Sequence, residues 1–168
     1  MHDVLVADKA SWKMKAQVAK WHDTASFEAG LEPDEIVEVD GNLLLNAGIT
    51  RLGNLLVGAG GTAYNATNSR IGVGDSSTAA AAGQTDLQAA TNKFWKLCSS
   101  ATWSAQTGTW VATFGSADAN FVWNEWGIDN GTVDGTTVTA PMLNRKVASL
   151  GTKASGSTWQ FTATVAIS

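Results

Sequence analysis

Apolar and polar side chains alternate along several short stretches of the chain, and the bulkiest of these stretches lies between residues 110 and 128. Trp110, Ala112 and Phe114 share one face of an extended backbone, because side chains in a β-strand point to alternate sides. Residues 121–128 follow a run of small residues and place large apolar side chains on both faces. The pattern predicts a hairpin of two strands, each face covered by a second sheet or by a neighbouring subunit.

The same alternation predicts strands at both ends of the chain. Residues 12–18 alternate strictly, with Lys13 and Lys15 on the face that we expect to meet water. Residues 159–167 alternate just as clearly, so a strand is predicted to close the chain. Shorter apolar or β-branched stretches predict further strands at residues 36–39, 70–74, 94–98 and 142–150.

The period changes between residues 43 and 57, where leucine and isoleucine recur at spacings of three and four. This spacing predicts a helix, with Asn42 as its N-cap and the glycines of residues 58–61 as its stop. Gly48 and Gly53 lie inside the segment, and each costs a helix about 1 kcal/mol relative to alanine. Their presence suggests that another backbone passes close to the helix.

These elements predict a mainly β fold, a β-sandwich or jelly-roll-like domain of residues 41–168 with one helix. Residues 1–40 are predicted to form an extended N-terminal arm with one amphipathic strand and an acidic loop. The chain of 168 residues is long enough to bury a core, and 44% of its residues are hydrophobic. Charged residues make up 15%, and 17 glycines supply turns, which fits a β-rich domain.

Charge is distributed unevenly. The formal net charge is -4, and residues 1–40 hold four lysines against nine acidic residues. No basic patch is evident, so we expect no direct contact with nucleic acid. The first ten residues do not read as a secretory signal, and no apolar run approaches the roughly 20 residues that cross a bilayer. We therefore expect a soluble protein without a membrane partner.

Motifs for catalysis or metal binding are not evident. His2 and His22 have no metal-ligand spacing, and neither a paired-cysteine motif nor a nucleophile elbow is present. Asp75 and Asp86 fall short of the six to eight oxygens that Ca²⁺ prefers, so we interpret them as turn residues. Cys98 has no cysteine partner and is interpreted as a small buried residue. We expect no enzymatic activity, cofactor or metal.

Glu125 lies between two tryptophans in a predicted strand, and Arg145 lies in another predicted strand. A buried carboxylate is costly unless it is paired. We therefore predict a structural ion pair between Glu125 and Arg145 in preference to a catalytic acid.

Eight tryptophans raise the possibility of a carbohydrate-binding module, because indole rings stack on sugars. Trp110, Trp123 and Trp159 lie on alternating apolar faces of predicted strands, and core packing explains them better. Apolar residues on the predicted arm or near loops are instead candidates for a protein interface. These candidates are Trp12, Met14, Val18, Trp21, Trp95 and Trp103.

Six short segments occur in a specific order: NLLLNAGI (42–49), IGVGDSS (71–77), QTDL (84–87), TFGSADAN (113–120), NEWGI (124–128) and LNRKV (143–147). In this order they resemble a family of small virion proteins of tailed bacteriophages, and the likeness covers about residues 40–168. The resemblance implies a structural role in the phage particle, with no catalytic residues to transfer. Members of this kind include head decoration or minor capsid proteins and minor tail proteins.

A head location fits the short chain, which lacks the long repeats or heptads of a tail fibre. We expect the protein to bind the major capsid protein on the capsid exterior, after assembly in the host cytoplasm, and to clamp neighbouring subunits. Trimers are expected by analogy with proteins at symmetry axes. The arm, with Trp12 and Trp21, is predicted to contact a neighbour. The alternatives are a minor tail or tail-tip protein and a carbohydrate-binding module.

Overall fold

Two antiparallel sheets of five strands each pack face to face in the computed structural model, which describes residues 11–168. In chain order the strands are β1 (Trp12–Trp21), β2 (Glu35–Asp40), β3 (Leu43–Leu44), β4 (Arg70–Gly74), β5 (Lys93–Leu97), β6 (Ser100–Ser104), β7 (Thr107–Phe114), β8 (Val122–Asp129), β9 (Met142–Thr152) and β10 (Thr158–Ile167). Sheet A has the order β2-β1-β10-β7-β6, and sheet B has the order β3-β9-β8-β4-β5. The predicted mainly β, sandwich-like fold class is confirmed.

The main core lies between the two sheets and contains aromatic residues from both. The rings of Phe114 in β7 and Trp123 in β8 pack edge to face, with their centroids 4.7 Å apart. Trp123 also packs edge to face on Trp159 in β10, at a centroid distance of 4.8 Å. The rings of Trp126 and Phe161 are tilted, with their centroids 5.1 Å apart. Edge-to-face geometry is favoured by the ring quadrupoles and adds to the free energy of burial. These contacts hold sheet A against sheet B.

The predicted hairpin of residues 110–128 is wrong, because β7 belongs to sheet A and β8 to sheet B. Residues 115–121 cross from one sheet to the other, and this connection is fixed by hydrogen bonds. The Asp118 carboxylate accepts from the backbone N–H of Gly115, and Ala119 O accepts from the indole of Trp123. A register shift in β8 lets both of its tryptophans enter the core. Alternation reports which face a residue occupies, but it does not identify the partner strand.

The predicted separate arm is also corrected, from Trp12 onward. β1 pairs along its whole length with β10, from Trp12 opposite Ile167 to Trp21 opposite Thr158. It pairs with β2 on its other side, so residues 12–40 form part of the sandwich. The apolar face of β1 matches that of β10, and pairing the two buries both faces in one core. Residues 1–10 lie outside the described residues.

Residues 11–168 contain two helices, where one was predicted. The short α1 (Thr24–Glu28) lies within a predicted loop, and the Asp23 side chain caps it by accepting from the Ser26 N–H at 2.7 Å. The longer α2 (Asn46–Leu56) lies within the predicted span. Its N-cap position is occupied by Leu45 without a side-chain hydrogen bond, so the predicted Asn42 cap is wrong. The two residues ahead of Leu45 form β3 instead.

Gly48 and Gly53 in α2 have different surroundings. A Cβ at Gly48 would lie 2.4 Å from the backbone oxygen of Leu143 in β9. A Cβ at Gly53 would meet nothing within 4 Å. The close backbone approach predicted for both glycines therefore occurs only at Gly48, where it lets α2 sit directly on β9.

We expect Gly48→Ala to lower the free energy of unfolding by about 1–3 kcal/mol, because the added methyl group overlaps a backbone oxygen. Gly53→Ala is the matched control in the same helix, and it should raise stability by up to about 1 kcal/mol through helix propensity. Urea unfolding of both variants measures the difference. Equal changes at the two positions would show that α2 does not press on β9.

Candidate functional site

An apolar cleft of about 240 Å³ opens at the end of the sandwich where β1 begins and β10 ends. Trp12 and Ile167, which are paired in register, line it from sheet A. Trp103, near the tip of the β6–β7 hairpin, lines it from the same sheet. Opposite them, α2 contributes Leu52 and Leu55. The cleft is thus an incompletely closed end of the core between the sheets.

The floor of the cleft is formed by Tyr64, Trp110 and Leu143 and is held by hydrogen bonds. The Trp110 indole donates to the backbone oxygen of Tyr64 at 3.0 Å, and the Tyr64 hydroxyl donates to Pro141 O at 3.1 Å. Burial raises the pKa of Tyr64 well above its usual value, so the phenol stays protonated and keeps donating. The floor is therefore fixed by polar groups although the cleft itself is lined by apolar side chains.

Gly108 leaves room for two indole rings, that of Trp103 at the rim of the cleft and that of Trp110 on its floor. A Cβ at this position would lie 2.8 Å from the ring of Trp103 and 2.8 Å from that of Trp110. Gly108 pairs directly with Trp103 across the hairpin, and its missing side chain leaves room for both rings. The Trp103 ring therefore lies over Gly108 on the neighbouring strand, and 56% of the surface of Trp103 stays exposed.

Large apolar side chains are also exposed on and just after α2, whose Leu52 and Leu55 line the cleft. Leu56 and Val57 at the end of α2 are 87% and 76% exposed, and Ile49 one turn earlier than Leu52 is half exposed. We call the cleft together with Ile49, Leu56 and Val57 the apolar end. Contiguous exposed apolar groups of this kind mark interaction surfaces more often than scattered single residues do. The apolar end is the candidate functional site.

Only two of the six predicted interface residues, Trp12 and Trp103, line the cleft. Met14 and Val18 are buried between the sheets. Trp21 packs on Phe27 of α1 and donates to Leu31 O at 2.7 Å, and Trp95 is fully buried under Arg70 on the outer side of sheet B. These four side chains make their contacts within the folded chain and are not available to a neighbouring protein.

The exposure of the tryptophans bears on carbohydrate binding. Of the eight, Trp103 alone is exposed, Trp12 is half-buried, and the other six are buried. A sugar-binding platform presents indole faces to solvent, and here one ring does so. The arrangement favours core packing for most of the tryptophans, as the alternation indicates.

The Glu125–Arg145 pair is present and fully buried. Arg145 Nε donates to Glu125 Oε2 at 2.6 Å, and its other nitrogens donate to Gln84 Oε1 and Thr78 O. Glu125 also accepts from the backbone N–H groups of Gln88 and Ala89, at 3.0 and 2.7 Å. The two side chains therefore fasten residues 78–89 onto the outer face of sheet B. Their hydrogen-bonding groups are engaged in a structural role.

A second buried pair, Arg70–Asp129, was not predicted. Arg70 donates to both oxygens of Asp129 and to Val133 O, and it lies over the ring of Trp95. Asp129 in turn accepts from the N–H of Gly131. This pair fastens the loop of residues 130–141 to the same face of the sheet. The two pairs and their loops cover sheet B on the side away from sheet A.

The other polar candidates have structural partners. Asp75 accepts from Asn92, and Asp86 pairs with Lys93. His22 contacts Asp34 on the surface, and His2 lies outside the described residues. Burial raises the pKa of the Cys98 thiol to about 11. Within residues 11–168, no group of three or more potential metal ligands comes together.

Lys153 is buried, and among residues 11–168 it has no carboxylate partner: its ammonium donates to Gly115 O at 2.7 Å and Asn120 Oδ1 at 2.9 Å. Burial lowers its pKa to about 8.

The lowered pKa of Lys153 makes stability depend on pH. Above about pH 8 the Lys153 ammonium has lost its proton in the folded state, whereas the unfolded state keeps this proton to about pH 10.5. The free energy of unfolding should therefore rise with pH. We expect a gain of about 1 kcal/mol between pH 7 and 9. Chemical unfolding should show that Lys153→Met loses this rise, and an equal rise in the variant would assign it to another group.

The comparisons with known proteins give no relative from which a site could be transferred. Searches of protein-family models, of curated proteins and of solved structures found no match to this chain. Across residues 11–168, no helix has the length and apolar character needed to cross a membrane. The apolar end thus stands as the candidate site on its own geometry.

Proposed function

We propose that the protein is a non-enzymatic structural protein of a tailed-bacteriophage virion. In this proposal it binds the exterior of the capsid through its apolar end and clamps neighbouring subunits of the major capsid protein. The observation that carries the proposal is the concentration of exposed apolar side chains around the cleft. The resemblance of the six ordered segments to small virion proteins supplies the context.

The chemistry of the apolar end suits a protein partner. An exposed indole beside a cleft is a common anchor in interfaces, because aromatic side chains bury much area for little lost conformational entropy. Trp103 has this position, and Leu56 and Val57 extend the apolar surface beside it. Stable protein interfaces bury about 1,600 Å² in total, so the partner must cover more than the cleft. A shell subunit with an apolar surface would meet this requirement.

The outer face of sheet A differs from the apolar end. One row across this sheet runs from Asp40 through Lys15 and Thr164 to Thr109, and these polar side chains are exposed or half-buried. Threonine hydroxyls and charged groups hydrogen-bond with water, so this face can stay in solvent. A chain with an apolar end and a wet face is suited to sit on a shell. Trimers around a symmetry axis remain part of the proposal by analogy.

Mass spectrometry of separated heads and tails, from phage particles assembled in cells that make this chain, tests the assignment. The chain should be found with heads, in a copy number comparable to that of the symmetry axes of the shell. Recovery with tails alone would overturn the capsid assignment in favour of a minor tail protein. Absence from both fractions would overturn the virion assignment itself.

A further inference from the structure

We propose that β6 is a contact between two copies of this chain, which pair their β6 strands antiparallel about a two-fold axis at Thr102. The second copy continues sheet A across the axis, so that two sheets of five strands become one continuous sheet. The inference goes beyond the proposed function, because it concerns the free protein and holds whether or not the apolar end binds a capsid.

The four sheet edges differ in how they are protected against pairing. Sheet A ends at β2 and β6, and sheet B ends at β3 and β5. Proteins protect an edge strand with charge, with a covering loop or by keeping the strand short. β2 carries Glu35, Glu38 and Asp40, so two such strands repel each other. β3 has only two residues, and β5 is covered by Gly135, which exchanges hydrogen bonds of 2.7 and 3.0 Å with the Trp95 backbone.

β6 has none of these three protections. The strand contains neither a charged residue nor proline, and the whole stretch of residues 97–117 is uncharged. Thr102, Trp103 and Ser104 are exposed. Among residues 11–168, β7 is the only strand beside β6. An uncharged edge can meet its own copy without like-charge repulsion, so self-pairing is possible for β6 and unfavourable for β2.

The hydrogen-bonding pattern of sheet A shows which backbone groups of β6 face the open edge. The Ile167 N–H donates to Gln106 O at 3.0 Å. Since this direction alternates along an antiparallel pair, the even-numbered residues of β7 turn their backbone groups toward β10 and the odd-numbered ones toward β6. The odd-numbered residues lie opposite the even-numbered residues of β6. The N–H and C=O groups of Ala101 and Trp103 therefore point away from β7, to the open edge.

These groups are complementary to those of a second copy. A two-fold axis at Thr102 places Ala101 of each copy opposite Trp103 of the other. Each of these two pairs exchanges two backbone hydrogen bonds, which gives four in total. On the outer face of the sheet, Thr102 meets its own copy and Ser100 meets Ser104. Pairs of small hydroxyl side chains are favourable across antiparallel strands, so both the backbone and the side chains of β6 fit this register.

The pairing leaves the apolar end free. The Trp103 ring lies over Gly108 in β7, on the side away from the open edge, so it need not move when a second β6 approaches. Because the axis passes through the sheet, both copies present Trp103 on the same face. The two clefts therefore lie side by side, and the dimer offers a partner twice the apolar surface of one copy.

The contact is short, and this sets the expected affinity. Two outward-facing residues on each copy bury much less than the roughly 1,600 Å² of a stable interface, and small interfaces are typical of weak complexes. We therefore expect a dimer that forms as the protein approaches about 1 mM and dissociates as it is diluted to about 10 µM.

Disulfide trapping tests the register. The proposed pairing places the two copies of residue 102 with their Cα atoms about 4.5 Å apart, a distance that a disulfide can span. We expect Thr102→Cys to form a cross-linked dimer under mild oxidation. Ser100→Cys is the matched control, because its two cysteines would lie about 13 Å apart along the paired strands. It should yield about tenfold less dimer, since a disulfide cannot span this distance.

A mixture of Ser100→Cys and Ser104→Cys should restore the cross-link, because these positions lie opposite each other in the register. Cys98 is buried and is present in every variant, so it does not distinguish them. No cross-link from Thr102→Cys, or an equal yield from Ser100→Cys alone, would overturn the pairing. A trimer in solution without cross-linking of Thr102→Cys would also overturn it.

A charge at the axis tests the same contact without oxidation. Thr102→Lys places two ammonium groups against each other, and sedimentation velocity should show a monomer up to about 1 mM. Thr136→Lys is the matched control, because it makes the same change at an exposed position in the loop of residues 130–141. It should dimerise like the wild type. A wild type that stays monomeric up to about 1 mM, or equal dimerisation of the two variants, would overturn the proposal.

Hydrogen exchange identifies the strand that pairs. The amides of Ala101 and Trp103 should exchange several-fold more slowly as the protein concentration rises, because their N–H groups become hydrogen-bonded to the second copy. The Thr102 amide points to β7 in either state and is the internal reference. Exchange at Ala101 and Trp103 that does not change with concentration would contradict pairing through β6.

Discussion

Replacing Arg145 with methionine lowers the free energy of unfolding by about 3–5 kcal/mol, because it leaves the Glu125 carboxylate buried without its cation. Arg145 and Glu125 are both fully buried, and the Nε–Oε2 distance is 2.6 Å. The substitution also removes the bonds to Gln84 and Thr78. Urea unfolding measures the loss. Hydrogen exchange should accelerate at the Ala89 amide, which donates to Glu125.

Lys15→Met is the control for this prediction, because it breaks an ion pair of the same charge type on the surface. Lys15 and Asp40 lie 3.7 Å apart, and their side chains are 75% and 82% exposed. Exposed pairs contribute about 0–1 kcal/mol, so the expected loss is small. If Arg145→Met costs no more than Lys15→Met, the buried pair does not hold the loop of residues 78–89 on the sheet.

If the apolar end binds the capsid as proposed, replacing Trp103 with serine should weaken binding of the purified protein to capsid shells that lack it by about 30-fold or more. A truncated hot-spot residue costs about 2 kcal/mol or more, and 1.4 kcal/mol corresponds to a tenfold change. The effect on folding should be small, because more than half of this side chain is exposed. Co-sedimentation with such shells across a range of protein concentrations measures the affinity.

Val133→Ser is the matched control for Trp103→Ser. Val133 is 62% exposed and lies in the loop that covers the outer face of sheet B, outside the apolar end. Its substitution removes exposed apolar surface without touching the cleft, and binding should stay within about twofold of the wild type. Equal losses for the two variants would mean that exposed apolar surface in general, and not the apolar end, drives association.

The strands could be predicted from the sequence better than their partners. The alternation in β1 and β10 identifies both strands and their buried faces, since it depends only on neighbouring residues. The same alternation cannot tell that β7 and β8 lie in different sheets. It also cannot tell that β1 joins β10 in one core and does not extend to a neighbour. β1 and β10 are separated by more than a hundred residues of sequence, so their pairing depends on the tertiary fold and not on the local pattern.

The candidate site could be predicted only in part for the same reason. Trp12 and Trp103 are conspicuous as large residues near loops, but Leu52, Leu55 and Ile167 become neighbours only when α2 and the chain end meet. Periodicity marks these three as apolar without indicating that the surface above them stays open. The Glu125–Arg145 pair was predictable because a lone charge in an apolar strand needs a partner. The Arg70–Asp129 pair gave no such signal, since Arg70 begins a glycine-rich strand and Asp129 ends another.

Cryo-electron microscopy of intact particles that carry this chain shows whether the apolar end binds a virion shell, as proposed. We expect density for the β-sandwich on the capsid exterior, with α2 and Trp103 against the shell and the outer face of sheet A toward solvent. Density confined to the tail would rule out the proposed capsid binding, and a sandwich on the shell with its apolar end facing solvent would rule out binding through that end.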